Sequence, residues 1–439
     1  MQERERSSHQ PERTSSDCYA GRAPFRGDRR IGGSDVTDVM QGVRILEVAE
    51  HTFVPAASAM LADLGAEVIK IEHVERGDAM RGLMSSGLAL MSTDVHVLLE
   101  HSNRGKRSLG LDLSTPEGLE VLGRIAATCD VFLTNKLPSV RAKLGIDPEQ
   151  LRAHNPDIIY VRGSGQGDRG PDADKGSYDV LSYWHRSGMA VGAQQPDADA
   201  VPTPPAPAFG DSIGAMAIAG AIMGALYHRE RTGEATVVDV SLLGVGLWSM
   251  GAGLALSLQM GRPWVQPPRS ASRNPLSSTY PAKDGTAVAL SCLQAARYWT
   301  ELVTLLGRPE LAADERFADH QALADHAGAA SDELTATFAT CTAEEWRTRL
   351  EGFSGQWTIV QDTLAAAVDP QTVANGYVVD CETAAGVPFQ LVGAPVQYDG
   401  EQPQARRAPE FNEHGDDILQ DVGLDWEAIV DLKARGVVA

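Results

Sequence analysis

The sequence predicts an α/β protein built on a parallel β-sheet. Apolar segments of strand character alternate with short segments of helical periodicity across residues 43–170. Hydrophobic residues make up 43% of the 439 residues and charged residues 22%, which is typical of globular enzymes. Strands that alternate with helices in this way form parallel sheets covered by helices on both faces.

Five strands are predicted in this region. They span residues 43–49, 67–72, 107–113, 131–135 and 157–163. A helix that starts at Pro55 is expected to end at Gly65, because glycine tolerates a left-handed cap. A second helix is expected at Pro116, where Ser114 or Thr115 can cap it and leucines recur on one face. This order is Rossmann-like, and such sheets bind ligands beyond the carboxyl ends of their strands.

The rest of the chain predicts a long helix of small residues at 210–227, a connecting segment and a second unit. Residues 240–261 carry no charge and could span a bilayer by length. Their five glycines favour a helix buried in the protein or in a dimer interface, with no membrane span. The predicted organisation is a disordered tail at 1–39, a large domain at 40–235, a linker helix at 236–265, a smaller α+β domain at 266–391 and a return segment at 392–439 that packs on the large domain.

Charge and cysteine content argue against several classes of function. The net charge is −21, from 38 basic and 59 acidic residues, so a general nucleic-acid binder is not expected. The five cysteines are widely spaced without a CxxC pair, which argues against a metal site or a disulfide framework and favours a cytoplasmic protein. The densest basic run surrounds Arg104, either as a solvated loop or as a site for phosphates.

Asp211 and Asp179 are the candidate acidic site residues. Asp211 lies at the start of the long helix, so its carboxylate either caps that helix or, ionised at pH 7, attacks a thioester without an activating base. Asp179 is likewise a cap or a surface acid. Gly165 and Gln166 lie in a loop with GxGxxG spacing that opens no helix, so a flexible turn is predicted and not an NAD site. The amides of such a loop can still face a developing oxyanion.

Six longer segments, taken together, resemble the class III CoA-transferase family, which also includes the α-methylacyl-CoA racemases. They are residues 62–82, 103–118, 130–167, 210–243, 284–319 and 393–438, in the family's order. The resemblance implies a Rossmann-like large domain made from both chain ends, with a smaller domain between them. It also implies an interlocked homodimer, in which residues 240–261 would be buried.

The resemblance further implies a mechanism in which Asp211 attacks an acyl-CoA. CoA thiolate then opens the mixed anhydride to an aspartyl-CoA thioester, from which CoA passes to a carboxylic acid acceptor. Coenzyme A thioester would be a substrate, with no permanently bound cofactor and no metal. The positions that match the family's CoA-lining residues are His51, His73, Leu111, Asn135 and Lys143. The other candidate substrate- or CoA-binding residues are Arg104, Gly165, Gln166, Tyr178 and Asp179.

Two alternatives stay open. A racemase of the family would pair Asp211 with a histidine, but Tyr178 stands at that position and a tyrosine of pKa near about 10 is a poor base at pH 7. A non-catalytic acyl-CoA-binding homologue would use Asp211 only as a cap. Residues 267–283 lack the glycine-run lid of formyl-CoA transferase, which favours an acyl group bulkier than formyl or oxalyl. Either Asp179 or Glu50 is expected to tune Asp211.

Overall fold

The computed structural model describes residues 38–85, 94–196, 198–267 and 271–439. All but two residues of the predicted tail, 1–39, lie outside these ranges. The described strands are β1 (Arg44–Val48), β2 (Glu67–Glu72), β3 (Arg107–Gly110), β4 (Val131–Thr134), β5 (Ile159–Ser164), β6 (Val237–Ser241), β7 (Ser277–Pro281), β8 (Ala287–Ser291), β9 (Trp357–Ile359), β10 (Val378–Glu382) and β11 (Pro388–Val392).

The α-helices of the described residues follow in chain order. They are α1 (Phe53–Asp63), α2 (Val97–Asn103), α3 (Pro116–Ala126), α4 (Pro138–Leu144), α5 (Pro148–His154), α6 (Met189–Ala193), α7 (Phe209–Thr232), α8 (Leu242–Ser249), α9 (Gly251–Met260), α10 (Ala295–Leu305), α11 (His320–Asp325), α12 (Ala327–Phe338), α13 (Ala343–Arg349), α14 (Thr363–Ala367), α15 (Pro370–Ala374), α16 (Gly415–Asp421) and α17 (Trp426–Ala434). Short 3₁₀ helices span Ala79–Ser85, Pro309–Ala312 and Glu315–Phe317, and a π-helix spans Val180–His185.

Six parallel strands form the central sheet, in the order β3-β2-β1-β4-β5-β6. The prediction of an α/β fold with a parallel sheet is confirmed. Because the strand order reverses between β1 and β4, the carboxyl ends of these two strands border the crevice where such sheets bind ligands. The sheet includes β6 and therefore extends beyond residue 235, where the predicted large domain ends.

Alternate side chains of the strands pack against helices on the two faces of the sheet. On one face, Ile45 and Val161 belong to the same buried cluster as Ala57 of α1 and Ile218 of α7. The neighbouring side chains of the strands point into a second cluster, which also contains residues of α3, α5, α16 and α17. Residues 418–438 therefore pack on the same sheet as the N-terminal strands.

A separate buried cluster forms within residues 276–359. It contains the antiparallel sheet β7-β8-β9 and the helices α10 and α13, with Trp299 and Trp346 among its buried side chains. No residue of the hairpin formed by β10 and β11 belongs to this buried cluster. Strand β11 instead contacts α2, which precedes β3 of the central sheet.

The uncharged segment 240–261 does not form one helix, so the prediction of a single linker helix is wrong. Its burial in a dimer interface stays a prediction. The segment contains the end of β6 and then α8 and α9, which are bent by 71° where they meet at Met250. Gly251 and Gly253 follow the break, and glycines favour such kinks. Within this protomer α9 buries none of its side chains.

Two parts of the described chain match the length and composition of a membrane span. They are α7, and α8 with α9 if the bent pair is counted as one segment. In α7 the residues Gly214, Ile218 and Ile222 are buried, and this helix packs closely against α1. A core helix has the same composition as a span, so these segments are weak evidence for a membrane protein.

Candidate active site

Asp211 lies in the first turn of α7. The N-cap position of this helix is occupied by Ala208, at φ 54°. The Asp211 side chain makes no capping hydrogen bond, so the interpretation of Asp211 as a helix cap is wrong. In the part of the chain that the structure describes, no group donates a hydrogen bond to its carboxylate. Burial, and after it the negative charge of the nearby Asp179, raise the pKa of the half-buried Asp211 carboxyl to about 7. At pH 7 the carboxyl is therefore only partly ionised, contrary to expectation.

Asp179 accepts hydrogen bonds from the start of the π-helix Val180–His185 and from the start of α7, which carries Asp211. Its Oδ1 accepts a hydrogen bond of 2.8 Å from the amide of Val180, and its Oδ2 accepts one of 2.9 Å from the amide of Gly210. The second bond fixes the start of α7 next to the π-helix. Asp179, and not Glu50, is the carboxylate that acts on Asp211.

His51 and Tyr178 form an edge-to-face pair beside these aspartates. Their ring centroids lie 5.6 Å apart with an interplanar angle of 84°. The Tyr178 side chain is 60% exposed, so one face of its ring is open. His51 is the third residue after the carboxyl-terminal end of β1, and its backbone has the left-handed φ of 68°. The pair therefore links the edge of the sheet to the segment that carries Asp179.

A cleft of about 260 Å³ opens at the carboxyl ends of the first strands. Its lining comes from the segments after β1, β2, β3 and β4, as the sheet order predicts. The lining residues are Val48, Ala49, Glu50, Ile71, Glu72, His73, Arg76, Leu111, Asp112, Leu113, Ser114, Lys136, Val140 and Leu144. His73 and Leu111, both candidate CoA-binding residues, are among them.

Three basic side chains border this cleft. Lys136 forms a close ion pair with Glu50, which also lines the cleft. His73 and Arg76 are exposed at its border. Among the described residues, Arg76 has no carboxylate partner, so its guanidinium is available to an anionic ligand.

Two of the other candidate residues lie next to the cleft without lining it. Asn135 binds the backbone of Glu50 on both sides, donating from Nδ2 to its carbonyl at 2.7 Å and accepting from its amide at 3.2 Å. The structure thus gives Asn135 a role in holding the turn after β1. Lys143 is exposed on α4, one residue before Leu144, which does line the cleft.

The glycine-rich loop after β5 packs close to the π-helix. A Cβ atom at Gly165 would lie 2.6 Å from the Cβ of Ser177, so the approach of these two segments requires glycine. Gln166 accepts a hydrogen bond of 2.9 Å from Arg186. The loop opens no helix before the π-helix at Val180, as predicted.

Arg104 is not at the cleft. Its guanidinium is buried, 2.8 Å from a carboxylate oxygen of Asp63 on α1. Lys106 is buried as well, with Nζ 2.8 Å from a carboxylate oxygen of Glu47. The basic run is therefore neither a solvated loop nor an exposed phosphate site, because acids on α1 and β1 face it from inside the protein.

Sequence reasoning missed Arg76 and Ser114, which line the cleft, and Asp78, which binds the amide of His51 at 3.0 Å. Arg76 and Ser114 follow predicted strands, and this position was an available signal, since ligands gather at strand ends. The contact of Asp78 with His51 had no signal in the sequence, because it joins segments 27 residues apart.

Comparisons with known proteins agree with this architecture. The model of CoA-transferase family III matches residues 40–415. The (R)-2-hydroxy-4-methylpentanoate CoA-transferase of Clostridioides difficile is 27% identical over 401 residues, covering 91% of this chain and 99% of the relative. A probable fatty acyl-CoA transferase of Mycobacterium tuberculosis is 30% identical over 365 residues, covering 80% of this chain and 91% of the relative.

A solved structure of a CAIB/BAIF family protein from Brucella suis has the same fold. It superposes with a TM-score of 0.76 at 28% identity and covers 88% of this chain and 100% of its own. The family match over residues 40–415, the six-stranded sheet and the cleft at its carboxyl edge lead to one conclusion: this chain belongs to CoA-transferase family III and is an enzyme of that class.

Proposed function

We propose that this enzyme moves CoA from an acyl-CoA thioester to a carboxylic acid through a covalent intermediate on Asp211. The observation that carries the proposal is the Asp211 carboxyl itself. It accepts no hydrogen bond from the described residues, it lies beside Asp179, and burial raises its pKa to about 7. A weakly solvated carboxylate is a better nucleophile than one held by donors.

The reaction needs no other reagent than the two substrates. An Asp211 oxygen bonds to the thioester carbonyl carbon, and the C–S bond breaks to release CoA thiolate. The thiolate then attacks the Asp211 carbonyl carbon, which releases the donor carboxylate and leaves an aspartyl-CoA thioester. The acceptor carboxylate attacks this thioester and expels the thiolate again, forming a second anhydride. Attack of the thiolate on the acceptor carbonyl gives the new acyl-CoA and restores Asp211.

The cleft at the carboxyl ends of β1–β4 is the proposed site of the CoA nucleotide. Its exposed Arg76 supplies positive charge for phosphates in a protein of net charge −21, and the ring of the exposed His73 can donate a hydrogen bond to them. His51 and Tyr178 connect the end of β1 to the segment of Asp179, so the pantetheine arm would run past this ring pair towards Asp211.

We propose an apolar monocarboxylic acyl group. Among the described residues, Asp179 is the charged group that shifts the pKa of the Asp211 carboxyl, and its negative charge would repel a second carboxylate on the acyl group. The relatives from C. difficile and M. tuberculosis carry the names of a branched hydroxy acid and of a fatty acyl group, which supports this class.

A second candidate activity is racemisation of a 2-methylacyl-CoA. The observation in its favour is the position of His51, whose ring packs on Tyr178, the residue that stands where the racemases have histidine. His51 would then remove the α-proton. This activity predicts uptake of solvent deuterium at the α-carbon without any acceptor acid.

We further propose a homodimer, of the interlocked kind that the resemblance implies, in the cytoplasm. Trp248 and Leu258, on α8 and α9, are 86% and 77% exposed in the protomer, and a partner copy would cover them. Light scattering of the purified enzyme gives the oligomeric state, and a monomer at micromolar concentration would contradict this proposal.

The test of the mechanism is the intact mass of the enzyme after incubation with a panel of acyl-CoAs and trapping with hydroxylamine or borohydride. An adduct localised to Asp211 and absent from Asp211→Ala is the expected result. CoA-thioester binding without an adduct and without exchange would instead indicate the non-catalytic homologue. Deuterium uptake without an adduct would indicate the racemase.

A further inference from the structure

The backbone of His51 has a conformation that is uncommon for a residue with a side chain. Its φ of 68° lies in the left-handed region, which few residues other than glycine adopt. Such a conformation persists only where its surroundings stabilise it. The contact that does so is the hydrogen bond of 3.0 Å from the His51 amide to Oδ1 of Asp78.

Asp78 is itself fixed in place. It is fully buried; its Oδ1 also accepts from the amide of Met80 at 2.8 Å, and its Oδ2 pairs with Nζ of Lys70 at 2.8 Å. Burial opposes ionisation, but the charge of Lys70 and the two amide donors outweigh it and lower the pKa of the carboxyl. Lys70 is anchored in turn by Glu47, its partner across β1 and β2.

We propose that Asp78 is a positioning residue for the transfer reaction, which rests on the proposed function of Asp211. By holding the His51 backbone in the left-handed region, Asp78 keeps the imidazole ring against Tyr178, between the CoA cleft and the carboxylates. Without this bond, residue 51 relaxes to an ordinary conformation and the ring leaves Tyr178. The thioester is then misplaced relative to Asp211, while the nucleotide end of CoA keeps its contacts.

The first measurement is steady-state CoA transfer by Asp78→Ala, which removes the acceptor of the His51 amide, with the folded fraction measured by circular dichroism. We expect kcat to fall about tenfold, because a small misplacement of the reacting group is costly. The Kd of CoA should stay within about twofold, since Asp78 does not line the cleft. Asp63→Ala is the matched control: Asp63 is another buried, ion-paired carboxylate, but its partner is Arg104, and kcat should not change.

A second pair of variants separates positioning from general stability. His51→Gly removes the ring and adopts a positive φ without strain. Adding Asp78→Ala to His51→Gly should lower kcat no further than His51→Gly alone does. The proposal is overturned if Asp78→Ala keeps wild-type kcat, or if it lowers kcat by the same factor in both backgrounds.

A crystal structure of Asp78→Ala tests the geometry independently of activity. We expect residue 51 to leave the left-handed region and its ring to separate from Tyr178. An unchanged His51 would overturn the positioning role even if transfer is slow. If the wild-type enzyme transfers no CoA with any acyl group, the proposed function fails, and the crystal structure still decides whether Asp78 holds His51.

Discussion

Asp179 accepts a hydrogen bond from the amide of Gly210, the residue before Asp211 in α7. This bond holds the Asp179 carboxylate close to the carboxyl of Asp211. Burial and a negative charge so close to it both raise the pKa of the Asp211 carboxyl. Asp179 has two amide donors, and Asp211 has none among the described residues. This asymmetry underlies the first two predictions.

The rate of CoA transfer should rise with pH through about 7. Only the ionised form of Asp211 attacks the thioester, and burial followed by the charge of Asp179 raises its pKa to about 7. Asp179→Asn removes the like charge and should shift the midpoint of the profile to lower pH. The measurement is kcat/KM between pH 5 and 9. A profile of Asp179→Asn that coincides with that of the wild type would exclude Asp179 as the tuning group.

Asp211→Asn should stabilise the protein at pH 8. A pKa that is higher in the folded than in the unfolded state means that stability is lost as pH rises through the folded value of about 7. The substitution removes this loss, which amounts to about 1 to 3 kcal/mol, and the difference should disappear below pH 4. Urea unfolding at pH 4 and pH 8 measures it. The exposed Asp157→Asn is the control and should show no such difference between the two pH values.

Arg76→Ala should weaken the binding of CoA by about fivefold to tenfold at low salt, because an exposed guanidinium at the cleft border is lost. The deficit should shrink at 0.5 M salt, where charge interactions are screened. Calorimetric titration with CoA at two salt concentrations tests this. Arg297, which packs over Tyr298 far along the chain, provides the control Arg297→Ala with unchanged affinity. Equal affinity of Arg76→Ala and wild type would place the phosphates elsewhere.

Two glycines of α7 should respond in opposite ways to alanine. A Cβ atom at Gly214 would lie 2.4 Å from the ring of Phe53 on α1, so Gly214→Ala should destabilise the fold by about 1 to 3 kcal/mol. At Gly220 no atom lies within 4 Å of the added Cβ, so Gly220→Ala should add about 0.5 to 1 kcal/mol from helix propensity. Urea unfolding of both variants measures the difference. If both destabilise equally, the contact between α1 and α7 is not the cause.

Much of the fold was predictable because its signals are local. The five predicted strands correspond to β1–β5, and β2 has the predicted bounds of 67–72. Thr115 caps α3 as expected, accepting from the amide of Gly118. Hydrophobic periodicity and capping residues act within a few positions, so a single segment carries enough information. The break between α8 and α9 was not predicted, because a long uncharged segment has the composition of one continuous helix. Its glycines permit a kink but do not show from the sequence whether one forms.

The sequence by itself determined the parallel sheet, the family resemblance and the choice of Asp211. Only the tertiary structure decided the states of the charges. It buried Arg104 against Asp63, far from the cleft, and put Asp179 beside Asp211. It also joined Asp78 to the strained backbone of His51. The physical reason is that burial and ion pairing depend on which segments meet in space, and a charge has no defined pKa until its neighbours and its solvent exposure are known.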